Sequence, residues 1–212
     1  MILKKVIVAL DSSNLKSTLN IVSLLKNEVF AFKIGYEFFL NFGLDGYKKI
    51  KKICPKIFLD LKLHDIPNTV QAATASAGNI GADYLTIHIA SEKEALLAAS
   101  ENKTENIKLL GVSSALTSKA MDEETSKIVE KDFIVAKESG IDGVICPASE
   151  ILKTKQLFDL IVTPGIRLED DNKDDQKNVT TPEKAIEMGS KYIVMGRSIR
   201  NNIDYIINSL DI

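Results

Sequence analysis

Asp60, Lys62 and Asp65 stand within six residues of one another, where the apolar run 57–61 gives out. In an extended strand side chains alternate between faces, so Asp60 and Lys62 share one face while Leu59, Leu61 and Leu63 take the other. Asp65 follows just past the strand end, before Pro67, a residue suited to the first position of a helix. Charges of opposite sign at this spacing set one another's protonation and can surround a reacting atom. An ammonium group between carboxylates can stabilise developing negative charge and then deliver a proton. Lys33 adds to the pattern, because it interrupts the apolar run 29–34 and a buried lysine there needs an acidic partner. The plainer alternative is a structural ion-pair network, with Asp65 merely favoured near a helix N-terminus.

Arginine usage points to a second site. Of 27 basic residues only three are arginine, Arg167, Arg197 and Arg200, all late in the chain. The planar guanidinium grips phosphate in a way lysine does not copy. Arg197 is the first choice for an anion contact, with Arg167 second and Arg200 read as a helix-surface residue. The dipeptide Gly196-Arg197 has the form of a phosphate-binding turn, since glycine permits close backbone approach. An ordinary strand-to-helix turn is the competing reading.

These groups need a scaffold of suitable size. The chain has 212 residues, 45% of them hydrophobic and 26% charged, enough for one domain with a substantial core. A net charge of −2 gives no nucleic-acid footprint. No apolar run reaches membrane-spanning length, and the first strand begins too early to leave room for a signal peptide. Cys54 and Cys146 are the only cysteines, as expected of a cytoplasmic protein with reduced thiols. With His64 and His88 the only histidines, no cluster has zinc-ligand spacing, and no metal is expected.

Short β-branched runs alternate with amphipathic stretches. Strands are predicted at 5–10, 30–34, 57–61, 84–88, 107–112, 143–146, 160–162 and 192–195. Helical patterns fall between them, among others at 15–27, 38–53, 67–80, 127–139 and 182–188. Eight strand–helix units in this length predict a single-domain (β/α)8 TIM barrel over 1–212. An open doubly wound sheet is the competing topology, but the first strand runs into Asp11-Ser12-Ser13 with no glycine-rich dinucleotide turn. Polar residues mark the strand ends: Asp11, Lys33, Asp60 and Lys62, His88, Thr117 and Ser118, Thr163-Pro164-Gly165, and Gly196-Arg197. Barrel sites form on that carboxyl-end face. His88 reads as a satisfied packing residue and Cys146 as a small apolar filler. The very polar segment 168–178 is either a solvated loop or a lid. Its position between the two phosphate-type turns favours the lid.

In order along the chain, Val8-Ala9-Leu10-Asp11, Phe32-Lys33-Ile34-Gly35, the run Asp60 to Thr69, Leu116-Thr117-Ser118, Thr163 to Arg167, Asp175-Gln176 and Met195-Gly196-Arg197 resemble the orotidine 5′-monophosphate decarboxylase family. The run from Asp60 is the most specific of these. The resemblance implies decarboxylation of a nucleotide to UMP and CO2 with no metal and no organic cofactor. It implies a charged catalytic array of Lys33, Asp60, Lys62 and Asp65, with Lys62 giving the proton to C6 of the pyrimidine. Asp11 with Lys33 matches ribose contacts, Thr117 a pyrimidine contact, and Pro164 a further substrate contact. Arg167, Gln176, Gly196 and Arg197 match the phosphate-gripping set. Asp65, Ile66 and Thr69 match residues that reach a neighbouring subunit's site, which implies a homodimer. Three alternatives stay open. A magnesium-dependent sugar-phosphate decarboxylase or synthase would carry an acidic metal ligand where Lys33 stands. A non-catalytic nucleotide-binding barrel would not need the charged array. A Schiff-base aldolase needs a lysine that readily loses its proton, and acidic neighbours oppose that.

Overall fold

The computed structural model describes residues 2–118, 122–168 and 180–203, without the side chains of Thr117 and Ser118. Eight parallel strands close on themselves in sequence order, β1 pairing with both β2 and β8. They are β1 (Val6–Ala9), β2 (Ala31–Ile34), β3 (Ile57–Leu63), β4 (Tyr84–His88), β5 (Lys108–Val112), β6 (Gly143–Ile145), β7 (Ile161–Thr163) and β8 (Tyr192–Met195). The helices among the described residues are α1 (Leu15–Leu25), α2 (Tyr36–Ile53), α3 (Pro67–Asn79), α4 (Glu92–Asn102), α5 (Ala115–Ser118), α6 (Glu123–Glu138), α7 (Ile151–Thr154), α8 (Pro182–Met188) and α9 (Arg197–Asn201). This is the (β/α)8 barrel that the strand–helix alternation predicts, and the open sheet is excluded.

Strands of such a barrel are covered on both faces, so β1 and β2 are buried along their whole length. Outward side chains such as Val8, Phe32, Ile34, Leu59 and Leu85 pack under the helices in the larger apolar cluster. Inward side chains Ile7, Ala31, Phe58, Leu110 and Val162 form a separate cluster inside the barrel. Phe30, Tyr84 and Tyr192 close its amino-terminal end: Phe30 stacks on Tyr192 at 3.6 Å and meets Tyr84 edge-on at 5.9 Å. With that end plugged, polar inward residues gather at the opposite mouth. Following the two-residue period, Ala31 gives way to Lys33, Phe58 to Asp60, and Tyr84 to Thr86 and His88.

Local signals fix the helix starts. Asn14 accepts the Ser17 amide at the head of α1, Asp122 accepts the Thr125 amide at the head of α6, and Pro67 and Pro182 open α3 and α8. Gly43 breaks α2 with φ 52° and ψ −150°, a backbone region open in practice to glycine alone. β3 departs from regular pairing. Leu59 opposes Leu85, but the next pair is Leu63 with Ile87, so three β3 residues face the single Thr86. Within that bulge Lys62 has φ 42°, in the left-handed region that non-glycine residues rarely occupy.

Candidate active site

The predicted charges of β2 and β3 meet inside the barrel mouth. Lys33 Nζ lies 2.9 Å from Asp60 Oδ2, and Lys62 Nζ lies 2.8 Å from Asp60 Oδ1. One carboxylate thus bridges two ammonium groups, one oxygen to each. Asp11, at the end of β1, lies 3.8 Å from Lys33 and extends the chain of charges to Asp11–Lys33–Asp60–Lys62. The Asp60 side chain is only 13% exposed, which is burial that an unpaired carboxylate would not tolerate. Burial pushes its pKa up, but Lys33 and Lys62 outweigh that and hold it down at about 2.

Several supports of this array are not visible in strand periodicity. Thr86, fully buried on β4, donates its hydroxyl to Asp60 Oδ1 at 3.0 Å and accepts the Lys62 backbone N–H at 2.9 Å. The signal in the sequence was a lone polar residue between Leu85 and Ile87, at the inward position. Gly35 is a second support: a Cβ there would stand 2.7 Å from Asp11 Oδ1 and 3.3 Å from Lys33 Nζ. Tyr36 donates its hydroxyl to the Leu61 carbonyl at 2.5 Å, and its ring lies 5.8 Å from Lys62 Nζ.

Asp65 is not joined to Lys62 within this chain. Its carboxylate accepts the Ile66 amide at 2.7 Å, and Asp65, Ile66 and Thr69 are exposed. His64 is exposed too, with its ring 5.6 Å from that of His88. His88 is half-buried on β4, with its Nδ1 shielded from solvent and the Val112 backbone beside its ring. Burial, then the neighbouring His64, lowers the His88 pKa. Cys146 fits its reading as a filler: it is fully buried, and burial pushes its thiol up to about 12.

The arginines follow the last two strands around the mouth, β7 and β8. Gly196 precedes α9, and a Cβ on it would come 3.3 Å from Ala9 Cβ, so β8 and β1 converge tightly there. Arg197 follows as the first residue of α9 and is half-buried. Arg167 is buried past the end of β7, donating to the Ile166 carbonyl at 3.2 Å. Arg200 corrects its reading as a solvated helix-surface residue. It is half-buried and donates to the Asp11 carbonyl, tying α9 to the end of β1. Pro164 lies half-buried just after β7. Ile166 bridges to Thr180, which brings together the two ends of the polar segment. Gln176 and the rest of that segment from 169 onward lie outside the described residues, as does the Thr117 side chain.

The chain has clear relatives. The Orotidine 5′-phosphate decarboxylase / HUMPS family matches residues 4–205. An orotidine 5′-phosphate decarboxylase of Buchnera aphidicola subsp. Schizaphis graminum is 39% identical over 208 residues, spanning 92% of this chain and 88% of the relative. One from Fusobacterium nucleatum subsp. nucleatum is 39% identical over 216 residues, 94% of this chain and 90% of its own. Among solved structures, orotidine 5′-phosphate decarboxylase from Lactobacillus acidophilus matches with a TM-score of 0.78 at 32% identity, covering 98% of this chain and 97% of that one.

The Asp60 geometry sets a pH dependence. A carboxylate whose folded pKa of about 2 lies below its ordinary value of 3.8 stabilises the fold above pH ~4, and that contribution is lost as pH falls toward 2. Its size is about 2 kcal/mol. Asp60→Asn should therefore unfold more easily than wild type at pH 7, with the gap closing between pH ~4 and ~2, read by urea denaturation at each pH. A gap that stays constant over that range would show that the ionised carboxylate is not the source.

Proposed function

The chain belongs to the Orotidine 5′-phosphate decarboxylase / HUMPS family and is a carboxy-lyase, and on that footing we propose that it converts orotidine 5′-monophosphate to UMP and CO2 without metal or organic cofactor. The observation that carries this reading is the Asp60 carboxylate bridging Lys33 and Lys62 at the open barrel mouth. When the C6–carboxylate bond breaks, its electron pair stays on C6 in an orbital lying in the ring plane. The ring π system delocalises that charge poorly, so the barrier in water is high. An ammonium group fixed beside C6 stabilises the charge as it forms and then transfers its proton there. Lys62 takes that role, and solvent returns the proton to its amine.

Asp60 holds the ammonium in place without needing to move. Fixed charges of this kind lower a barrier because no reorganisation is required at the moment of reaction. Asp11 and Lys33 are assigned to the ribose hydroxyls, Thr117 to the pyrimidine and Pro164 to a further substrate contact. Gly196, Arg197, Arg167 and Gln176 are assigned to the phosphate. Phosphate binding energy, gathered far from C6, is used to organise the charged array. The metal-dependent branch of the family would need an acidic ligand at position 33, where Lys33 places a positive charge instead.

The site is completed by a second copy of the chain in a cytoplasmic homodimer. Asp65, Ile66 and Thr69 are exposed just past the β3 end, Ile66 at 66%. Tyr36 and Leu40, four residues apart on α2, add an apolar face, with Leu40 at 82% exposure. The Tyr36 hydroxyl on Leu61 sets that face beside the β3 end. Asp65 then approaches the Lys62 of the other protomer and gives that ammonium its second carboxylate.

Two experiments test this reading. Ultraviolet monitoring of orotidine monophosphate should show turnover in EDTA. Lys62→Ala should lose at least ~10⁴-fold in kcat while UMP affinity stays within about threefold, and Arg197→Ala should weaken substrate binding as well as slow turnover. Near wild-type turnover by Lys62→Ala would refute the assignment. Analytical ultracentrifugation should find a dimer that Leu40→Glu converts to monomer, with activity falling in parallel. A fully active Leu40→Glu monomer would end the shared-site reading.

A further inference from the structure

Thr86 occupies a position that ladder geometry alone does not fill. Where β3 bulges, residues Asp60 to Lys62 have only Thr86 opposite them on β4. The regular strand pairing that would satisfy the Lys62 N–H is interrupted, and the Thr86 hydroxyl accepts that N–H instead, at 2.9 Å. The same hydroxyl donates its one proton to Asp60 Oδ1 at 3.0 Å. This fixes the polarity of the pair. A hydroxyl has one proton, and a carboxylate at this pKa can only accept it.

The consequence concerns Lys62. Its φ of 42° is a strained conformation for a residue with a Cβ, held only where surrounding structure over-determines it. That conformation returns the Lys62 ammonium to Asp60 Oδ1, the same oxygen that Thr86 holds. Backbone and side chain of Lys62 are thus referred to one fixed point on β4. Thr86 has no exposed surface, so it does not itself contact substrate.

We propose that Thr86 is a positioning residue for the decarboxylation, its single hydroxyl locking both the bulged Lys62 backbone and the Asp60 carboxylate so that the ammonium points at the reacting carbon. This rests on the decarboxylase reading above. Val and Thr have nearly the same shape, so Thr86→Val removes the hydroxyl with little loss of packing, while Thr86→Ser keeps the hydroxyl and loses the methyl. Misplacement of a reacting group by an ångström is enough for a loss of about 100-fold.

The test is steady-state kinetics of wild type, Thr86→Val, Thr86→Ser and Thr86→Cys on orotidine monophosphate, beside thermal melts of each. Thr86→Val should lose about 10- to 100-fold in kcat with KM within about threefold, while Thr86→Ser keeps at least about a third of wild-type kcat. Thr86→Cys, a weaker hydrogen-bonding group, should lose about fivefold or more in kcat, and it carries the test if Thr86→Val does not fold. A purely structural role would lower the melting temperature and leave kcat of the folded enzyme in place. Wild-type activity with Thr86→Val, or Thr86→Cys in its stead, within twofold of wild-type kcat overturns this inference alone. Equal losses in Thr86→Val and Thr86→Ser also overturn it, because the methyl would then be the important group. A wild type that does not consume orotidine monophosphate overturns the decarboxylase reading and this inference together.

Discussion

Everything at the barrel mouth depends on one carboxylate shared between two ammonium groups. Asp60 is too buried to remain ionised alone, and Lys33, itself buried, needs an acidic partner. Lys33 comes from β2 and Lys62 from β3, the strand that also carries Asp60, so their separation is fixed by strand spacing and by the β3 bulge. Attraction to Asp60 keeps two like charges together that would otherwise repel. The result is an alternating array of fixed charges, partly withdrawn from water, where electrostatic effects are stronger than in bulk solvent.

The barrel makes this arrangement possible by separating stability from chemistry along its axis. Aromatic rings of Phe30, Tyr84 and Tyr192 seal the amino-terminal end, and the Ile7, Ala31, Phe58, Leu110 and Val162 layer fills the interior. These apolar layers support polar residues that would be destabilising deeper in. Parallel strands also deliver all their carboxyl ends to one face. Asp11 from β1 and Gly196 and Arg197 after β8 therefore lie beside each other, since β1 pairs with β8. The Arg200 contact to the Asp11 carbonyl joins the expected ribose side of the site to the expected phosphate side.

Much of this was legible in the sequence, for physical reasons that can be named. Period-two alternation exposed the strands, and polar residues at their ends marked the mouth. Lys33 inside an apolar run demanded an acidic partner, and neighbouring strands supplied Asp60. What escaped notice depends on register. Strict alternation carries Asp60 and Lys62 to one face, but not the shift between Leu59 and Leu63 that puts Lys62 at positive φ. Thr86 matters only because that shift leaves it opposite three residues, and Gly35 only because Asp11 folds back over it. Arg200 looked ordinary because burial and partners belong to the assembled barrel. Asp65 shows a different limit, since within this chain its carboxylate accepts only the neighbouring Ile66 amide among the described residues, and its partnership with Lys62 belongs to the proposed dimer.

In the proposed decarboxylation the Lys62 ammonium, still held by Asp60, is the group that meets C6. The most direct measurement is a crystal structure of the protein with UMP bound. Lys62 Nζ should lie within about 3.5 Å of C6, a near-attack distance, and in contact with Asp60 of its own chain. A Lys62 Nζ turned to solvent, or another side chain occupying the place beside C6, would contradict it.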